Sequence, residues 1–357
     1  MDSVRSLMNG ASSSTTSIAS TAAPVSRIVL LAPGRSGSTL LQSAFLASCN
    51  VLTFFEPCHH GAGGHQGDIV RGRCVQHVER FLDCNLPHSS SGRWDPPKIR
   101  TWFQHPYKAA NTSCARAPFA TVQEAHLACR SALVVLVKEI RLVGQLSRLA
   151  ASLAAKSSPA HSDHSQTGRP WKPRTTAIVH LVRDPRATLA SQRRLHWWRF
   201  GNISQQTRRQ RAREMERVAK PLCRGMLADS LAGERLRKDA HSAIRYVAVS
   251  FEELTSDLSA TIERIYSELG LLPTPGSTHD WIQRTLSGQC AHGDGALSDG
   301  HINASTLEKF EYSTCRSKQF PSSGRRNARW KHALSRLEKR AIVQHCAQAM
   351  ARLGYRQ

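Results

Sequence analysis

The sequence predicts an α/β protein with a P-loop-like, doubly wound parallel sheet that is flanked by helices and carries a cysteine-rich insertion. The apolar run Ile28–Ala32 is followed by a loop of small residues and then by a helix-compatible segment, and the β-branched apolar run of residues 177–182 is followed by a second helix start. A third continuous run, Leu133–Arg141, is typical of a buried strand. Strands that alternate with helices favour a parallel sheet, which binds ligands at the carboxyl ends of its strands.

The loop after the first strand combines small residues with one cation. Backbone N–H groups of such a loop, with the positive end of a helix behind them, form a cradle for an anion. The Walker pattern requires a lysine after Gly37, but this chain has Ser38 there. The sequence therefore predicts a phosphate-like ligand and argues against nucleoside-triphosphate hydrolysis. The candidate binding residues of this loop are Arg35, Ser36, Gly37, Ser38, Thr39 and Leu40.

A second anion site is predicted where the strand of residues 177–182 ends at Arg183. Asp184 suits a helix N-cap and Pro185 suits the first helical position. Ser191 falls about two turns into that helix, where it can meet a ligand that lies along the helix. Two such sites on one parallel sheet predict a ligand with two separated anionic groups.

Charge and cysteine content narrow the class of protein. The chain has 357 residues and a formal net charge of +23, which favours polyanionic partners. Nucleic-acid binding is disfavoured because no recognised module is present. Ten dispersed cysteines without a C-x-x-C pair favour disulfides over zinc binding. Together with the cysteines, three glycosylation sequons favour a luminal domain; they lie at Asn111, Asn202 and Asn303.

Composition divides the chain into segments. Residues 1–26 are rich in Ser, Thr and Ala and are predicted to be disordered, and residues 27–357 form the folded domain. Within it, residues 58–118 form an irregular Cys/Gly/Pro-rich insertion without a sustained period, and residues 157–174 form a surface loop. No membrane span or signal peptide is visible, so membrane association is expected only if an N-terminal anchor is missing from this chain.

Further helices and a strand follow from local signals. Leu142–Lys156 is helix-like, and Tyr246–Val249 is predicted to be a buried strand. Ser250 and Glu253 match a capping box, and we expect the helix that they start to end near Gly270. A C-terminal helical pattern can direct four side chains to the core, namely Leu334, Leu337, Ile342 and Cys346.

Three motifs together resemble a known family. Arg35–Thr39, Phe54–Pro57 and Leu181–Ala187 look like the 3′-phosphoadenylyl sulfate signatures of the Golgi carbohydrate 6-O-sulfotransferases, which act on galactose, N-acetylglucosamine or N-acetylgalactosamine. The resemblance runs from about Arg27 to the C-terminus in the family's order. Further similar segments are Val137–Leu142, Leu222–Cys223, Tyr246–Leu254, Arg329–Lys331 and Cys346–Tyr355.

The resemblance implies an activity and its partners. The first loop would hold the 5′-phosphosulfate of the donor, and Arg183 with Ser191 would hold the 3′-phosphate. The acceptor would be a hydroxyl, by expectation the 6-hydroxyl, in a glycan or glycosaminoglycan, and no metal is required. The expected location is the Golgi lumen or Golgi membrane. Two alternatives remain at this stage: sulfation of another acceptor such as protein tyrosine, and non-catalytic binding of acidic glycans.

Three residues are candidates for the chemistry. Arg35 is the cation on the 5′ side, and Lys138 is a candidate for the bridging oxygen or the sulfonate, with a surface lysine at a strand end as the alternative. Glu56 ends a predicted second strand and is the candidate general base. Burial against Phe54 and Phe55 is expected to raise its pKa into a useful range.

Other residues compete for these roles or extend them. His59 and His60 are rivals of Glu56 because an unperturbed histidine titrates near neutral pH. His180 lies within a predicted strand and is expected to be a packed core histidine. The basic stretch Arg325–Lys331, which includes Trp330, is either a lid over anionic groups or a solvated loop before a helix.

Overall fold

A parallel sheet of five strands is the framework of the protein. The computed structural model describes residues 25–48, 50–60, 72–86, 122–157, 175–195, 197, 206–287 and 330–356. The strands are β1 (Val25–Leu31), β2 (Val51–Phe55), β3 (Val134–Glu139), β4 (Thr175–Val182) and β5 (Ile244–Ser250). Their order in the sheet is β2-β3-β1-β4-β5, and every neighbouring pair is parallel. The predicted fold class is confirmed.

Helices cover both faces of this sheet. They are α1 (Ser38–Leu46), α2 (Pro57–His60), α3 (Arg73–Leu82), α4 (Val122–Ser131), α5 (Leu146–Ser157), α6 (Pro185–Arg194), α7 (Arg208–Lys238), α8 (Phe251–Ser256), α9 (Leu258–Glu268), α10 (Gly276–Ser287), α11 (Trp330–Ala333) and α12 (Arg336–Arg352). No described helix has the length and apolar content that crossing a membrane requires.

The central strand β1 explains why the strand sequences are continuously apolar. Ile28 pairs with Leu136 of β3 and with Ala177 of β4, so β1 has a neighbour on each side. Val29 belongs to the core on one face of the sheet, and Leu30 belongs to the core on the other. Both faces are buried, which is the condition that produces apolar runs without alternation.

Several predicted boundaries differ from the structure. β1 begins at Val25, so the last two residues of the segment predicted to be disordered belong to the sheet. β5 is an edge strand, and Ala248 within it is exposed rather than buried. The helix predicted to end near Gly270 is two helices, because Asp257 ends α8 and caps α9 by accepting from Ala260 N–H.

The segment predicted as an irregular insertion contains regular structure in its described part. α3 buries one face, which includes Cys74, Val78 and Phe81, so the prediction of no sustained period is wrong here. The predicted cysteine cross-links are confirmed by disulfides Cys58–Cys74 and Cys84–Cys129. The first disulfide joins α2 to α3. The second joins Cys84, two residues after the end of α3, to Cys129 in α4. Residues 61–71 and 87–121 lie outside the described residues, as do 158–174 of the predicted surface loop.

The C-terminal helix α12 packs along α7, and the disulfide Cys223–Cys346 joins the two helices. Leu334, Ile342 and Cys346 are buried as predicted, but Leu337 is 40% exposed. The buried face of α12 follows positions 338, 342, 346 and 350, and residue 337 lies to one side of it. Outside the described residues lie the remaining cysteines and all three sequons: Cys49, Cys114, Cys290, Cys315, Asn111, Asn202 and Asn303.

Candidate functional site

The loop between β1 and α1 has the geometry of an anion cradle. Gly37 is the N-cap of α1 with φ of 92°, and no side chain caps this helix end. A Cβ at Gly37 would lie 2.3 Å from the Phe251 ring, so both the space and the left-handed backbone require glycine. Arg35 also has a positive φ, of 74°. The Ser36 hydroxyl donates to the Pro33 carbonyl at 2.5 Å and fixes the turn.

Hydrogen bonds join this loop directly to α6 and to Arg183, which precedes that helix. Arg35 Nε donates to Ser191 Oγ at 3.3 Å, and Arg183 Nη1 donates to the Arg35 carbonyl at 2.9 Å. The two anion sites predicted from the sequence are therefore adjacent. The predicted helix start is confirmed, because the Asp184 carboxylate accepts from Arg186 N–H and Pro185 occupies the first turn.

The cations at this junction lie close to one another. Burial lowers the pKa of Arg35 to about 10, with further lowering from the charges of Arg194 and Arg183, while Glu56 acts in the opposite direction. Burial likewise lowers the pKa of Arg183, although Glu252 and Asp184 oppose the change. Cations that depress each other's pKa create a positive potential, and an anionic ligand relieves it.

Arg183 has capacity for a further contact. Its guanidinium lies 4.0 Å above the centre of the Phe251 ring, and its Nε is buried without a hydrogen-bond partner among the described residues. A buried unsatisfied donor is costly unless a ligand accepts from it. This geometry fits an anionic group beside Arg183.

A second cluster lies at the ends of β2 and β3. Lys138 Nζ donates to Glu56 Oε1 at 3.0 Å and to Thr39 Oγ1 at 3.2 Å. Arg141 Nη1 donates to the other carboxylate oxygen of Glu56 at 2.8 Å. Lys138 therefore spans from a carboxylate to the anion cradle. The alternative of a surface lysine is wrong, because the Lys138 side chain is only 2% exposed.

The backbone positions Glu56 within this cluster. Its N–H donates to the Lys138 carbonyl at 2.8 Å, which continues the pairing of β2 with β3 by one residue. Its φ of 47° lies in the left-handed region, which is unfavourable for a residue with a side chain. The strained backbone directs the carboxylate to the two cations.

The expected rise of the Glu56 pKa is wrong. Burial is the largest single effect and raises this pKa, but the charges and hydrogen bonds of Lys138 and Arg141 together outweigh it. The pKa of Glu56 is therefore below its ordinary value. Phe55 contributes differently from the expectation: its ring lies 3.9 Å from Lys138 Nζ and packs on the cation rather than isolating the carboxylate.

Glu139 is the last residue of β3, next to Lys138, and is fully buried. Its Oε1 accepts from the N–H groups of Ile140 and Arg141, and its Oε2 accepts from Cys58 N–H at 3.1 Å. Burial and the neighbouring charge of Glu56 raise the pKa of Glu139 to about 7, against the opposing effect of Arg141. The disulfide-bonded α2 is thus tied to the residue that follows Lys138.

Sequence reasoning missed several residues of this region. Gln192 Nε2 donates to the Gly34 carbonyl at 2.8 Å, and the Trp197 ring covers Gly34 so closely that a Cβ there would lie 2.1 Å from it. Arg141 was not singled out either. Arg141 follows Lys138 by three positions, just after the end of β3, and this placement near a candidate residue could have indicated it.

The remaining predicted residues have mixed outcomes. His180 is a packed core histidine, as predicted: its Nδ1 lies 2.9 Å from the Tyr246 hydroxyl, and burial lowers its pKa to about 4. The side chains of His59 and His60 lie outside the described residues, as do residues 325–329 of the predicted lid. Trp330 packs against Arg186, whose Cζ lies 4.3 Å from the ring centre.

The chain is similar to two carbohydrate sulfotransferases and to two solved sulfotransferase domains. Human carbohydrate sulfotransferase 5 is 27% identical over 363 residues, covering 92% of this chain and 77% of that protein. Human carbohydrate sulfotransferase 6 is 28% identical over 370 residues, covering 92% and 80%. Among solved structures, the sulfotransferase domain of the Synechococcus PCC 7002 olefin synthase covers 95% of this chain and 98% of its own, with 17% identity and a TM-score of 0.40. The sulfotransferase domain from the curacin biosynthetic pathway covers 94% and 99%, with 13% identity and a TM-score of 0.42.

The part of the chain that matches a protein family contains both predicted anion sites and the Glu56–Lys138 pair. The sequence profile of the Sulfotransferase family matches residues 27–274, which is more than half of the chain and contains β1 to β5 from Arg27 onward. On this match, the chain belongs to the sulfotransferase family.

Proposed function

We propose that this chain transfers the sulfuryl group of 3′-phosphoadenylyl sulfate to a hydroxyl of a sugar, the 6-hydroxyl of a glycan or glycosaminoglycan. The observation that carries the proposal is Lys138, whose Nζ bridges the Glu56 carboxylate and Thr39 of the anion cradle. A base, a cation and a phosphate-binding loop thus meet at one point. The similarity to two carbohydrate sulfotransferases supports the sugar as the acceptor.

The described residues fit a donor with two anionic groups. The uncapped N-terminus of α1, with Gly37 as its N-cap, suits the 5′-phosphosulfate, and Arg35 adds a charge beside it. Arg183 with its unsatisfied Nε, and Ser191 with its hydroxyl, suit the 3′-phosphate. When bound, the donor supplies a sulfuryl group whose transfer leaves a bisphosphate.

In this proposal Glu56 accepts the proton of the acceptor hydroxyl, and Lys138 donates a hydrogen bond to the leaving phosphate oxygen. A carboxylate paired with two cations is a weak base. Once Lys138 turns from Glu56 to the phosphate, one stabilising charge leaves the carboxylate, and the pKa of Glu56 rises. Donor binding thereby activates the base.

The cross-links bear on the compartment. Disulfides such as Cys58–Cys74 and Cys223–Cys346 persist in oxidising compartments, which supports a luminal location such as the Golgi. We also propose that the chain from Val25 onward acts as a single catalytic domain, because β1 begins at Val25 and α12 packs on α7 and α6.

Two variants with opposite expected effects test the proposal. Glu56→Gln should keep its affinity for adenosine 3′,5′-bisphosphate while turnover falls by about 10²–10⁴-fold, the contribution of a general base. Arg183→Ala should weaken that affinity by about 2–3 kcal/mol through the lost charge-assisted contact. Calorimetry measures the affinity, and release of the bisphosphate from the donor measures turnover.

Turnover is measured with a panel of acceptors that contains keratan, chondroitin and mucin-type glycans. Thermal unfolding of both variants shows whether they are folded. Unchanged turnover of Glu56→Gln would transfer the role of base to another group, with His59 and His60 as the next candidates. A wild-type protein that releases no bisphosphate with any glycan would contradict the proposed activity.

A further inference from the structure

A groove of about 540 Å³ lies between the start of α6 and the segment formed by α11 and α12. The lining side chains are unusual in their charge: four are cations, one is aromatic, and none of the described lining residues is acidic. The ones that matter here are Arg186, Trp330, Arg336, Lys339 and Arg340. This groove lies outside the Glu56–Lys138 cluster.

One of these cations has a structural role. The Arg186 side chain makes three hydrogen bonds to the Asp184 carboxylate, the shortest at 2.8 Å, and Arg186 Nη2 donates to the Arg356 carbonyl at 2.8 Å. Its guanidinium also covers Trp330. The charge of Arg186 is therefore largely neutralised, and this residue forms a fixed wall of the groove together with the indole.

The other three cations lack an acidic partner among the described residues. Lys339 Nζ donates only to the Lys331 carbonyl. The acidic residue in the first turn of α12, Glu338, is paired with Arg193, and its side chain is 2% exposed. It therefore does not offset Arg336 or Arg340, both of which are exposed.

This arrangement works against the helix that carries it. Arg336 is the first residue of α12, where the positive end of the helix dipole disfavours a cation. Arg336 and Arg340 are four residues apart, a spacing at which like charges repel on a helix, and Lys339 lies between them on the same side of the groove. Helix stability does not account for these three charges, whereas an external anion would.

We propose that this groove binds sulfate or carboxylate groups of a polyanionic glycan chain, away from the hydroxyl that receives the sulfuryl group. The inference rests on the proposed function, because a carbohydrate acceptor is what makes an acidic glycan the partner. Two arginines one turn apart can each make paired hydrogen bonds to a sulfate or carboxylate. Arg186 follows Arg183 by three residues, so the groove adjoins the Arg183 half of the donor site.

The test compares two charge-neutralised variants of the full chain. The groove variant is Arg336→Gln with Arg340→Gln. The matched control is Arg208→Gln with Arg209→Gln, which also removes two exposed arginines near the start of a helix, in this case α7. The probe is a size-defined heparin oligosaccharide, and the measurements are its Kd and the dependence of that Kd on salt.

We expect the groove variant to bind the heparin oligosaccharide about tenfold more weakly and with a shallower salt dependence, because it forms fewer ion pairs and releases fewer counterions. The control should change by less than about twofold. Equal losses in the two variants would show that general surface charge attracts the glycan and would overturn the proposal.

Turnover supplies an independent arm of the test. In the groove variant, the KM for a sulfated acceptor should rise about tenfold with kcat kept, while the KM for the matching unsulfated acceptor stays unchanged. A loss of affinity for adenosine 3′,5′-bisphosphate would instead assign the groove to the donor and overturn the proposal. Absence of turnover in the wild type would contradict the proposed function. The comparison of heparin affinities would still test whether the groove binds an acidic glycan.

A variant that keeps both charges distinguishes the loss of charge from a loss of side-chain packing. Arg336→Lys with Arg340→Lys should recover most of the heparin affinity, since the charges remain. The glutamine variant should unfold at the same or a higher temperature than the wild type, because the repulsion within α12 is removed. Equal loss of binding in the lysine and glutamine variants, with a lowered unfolding temperature, would attribute the effect to packing and overturn the proposal.

Discussion

Replacing Arg141 by glutamine removes one of the two cations that neutralise Glu56. In the wild type, Lys138 contacts Oε1 of this carboxylate and Arg141 contacts Oε2. Together they hold the pKa of Glu56 below its ordinary value despite its burial. Arg141→Gln leaves Lys138 as the single charged partner, and the pKa of Glu56 should therefore rise.

The distance gives the size of this rise. Arg141 Nη1 lies 2.8 Å from Glu56 Oε2, and the Arg141 side chain is 25% exposed. Two unit charges about 4 Å apart at an effective dielectric constant of about 20 interact by about 4 kcal/mol. Solvent around Arg141 screens part of this interaction, so we expect the loss of Arg141 to destabilise ionised Glu56 by about 1–3 kcal/mol.

The sign of the effect on activity follows from the role of the base. Glu56 must be ionised to accept a proton, so the acidic limb of the pH profile of kcat/KM should move to higher pH. The assay is the pH dependence of kcat/KM for Arg141→Gln. A loss of substrate affinity lowers kcat/KM at every pH, whereas a change in the pKa of the base moves the acidic limb along the pH axis. The position of the limb therefore separates the two effects.

The control is Arg264→Gln, which removes an arginine that pairs with Glu253 and Glu268 away from the site. It changes the net charge equally and should leave the profile unmoved. If the acidic limb of Arg141→Gln coincides with that of the wild type, Glu56 is not the group whose ionisation limits the reaction, and the assignment of the base is wrong.

Two further outcomes are expected from the loop and from the buried carboxyl of Glu139. Gly37→Ala should lower the free energy of unfolding by about 2–4 kcal/mol, because φ of 92° is strained for alanine and the new Cβ meets the Phe251 ring at 2.3 Å. Gly354→Ala, with φ of 78° and open space, should cost only about 1 kcal/mol; equal losses in urea unfolding would show that the ring contact is unimportant. Burial raises the pKa of Glu139 to about 7. A folded-state pKa above the unfolded value means that stability falls as pH rises from about 4.5 to 7, by roughly 3 kcal/mol for this shift. Glu139→Gln should flatten that slope in urea unfolding at several pH values, and an unchanged slope would show that another group causes it.

Local chemistry was the part of the structure that the sequence predicted well. The N-cap at Asp184 and the capping box of Ser250 with Glu253 depend on residues within three positions of each other, and both are confirmed. The strands were evident because both faces of the sheet are buried, which leaves a continuous apolar run. The anion loop was evident because glycine and small side chains are needed where the backbone turns tightly.

Contacts between distant segments could not be predicted in the same way. Arg141 reaches Glu56 across 85 positions, because β2 and β3 are neighbours in the sheet although an insertion separates them in the chain. The lowered pKa of Glu56 depends on this contact, so an argument from the adjacent phenylalanines gave the wrong direction. α3 was missed because it has only ten residues and lies between a segment rich in glycine and histidine and a segment rich in serine and proline.

The contact of Tyr355 with Glu252 has a consequence for how the protein is made. The Tyr355 hydroxyl donates to Glu252 at 2.7 Å, and the same carboxylate accepts from Asp184 N–H, next to Arg183. A ribosome that adds about 5–20 residues per second therefore finishes the surroundings of Arg183 roughly 15–60 s after it has made Arg35. A ligand held by Arg35 and Arg183 therefore meets the finished surroundings of Arg183 only after Tyr355 has been made and has reached Glu252.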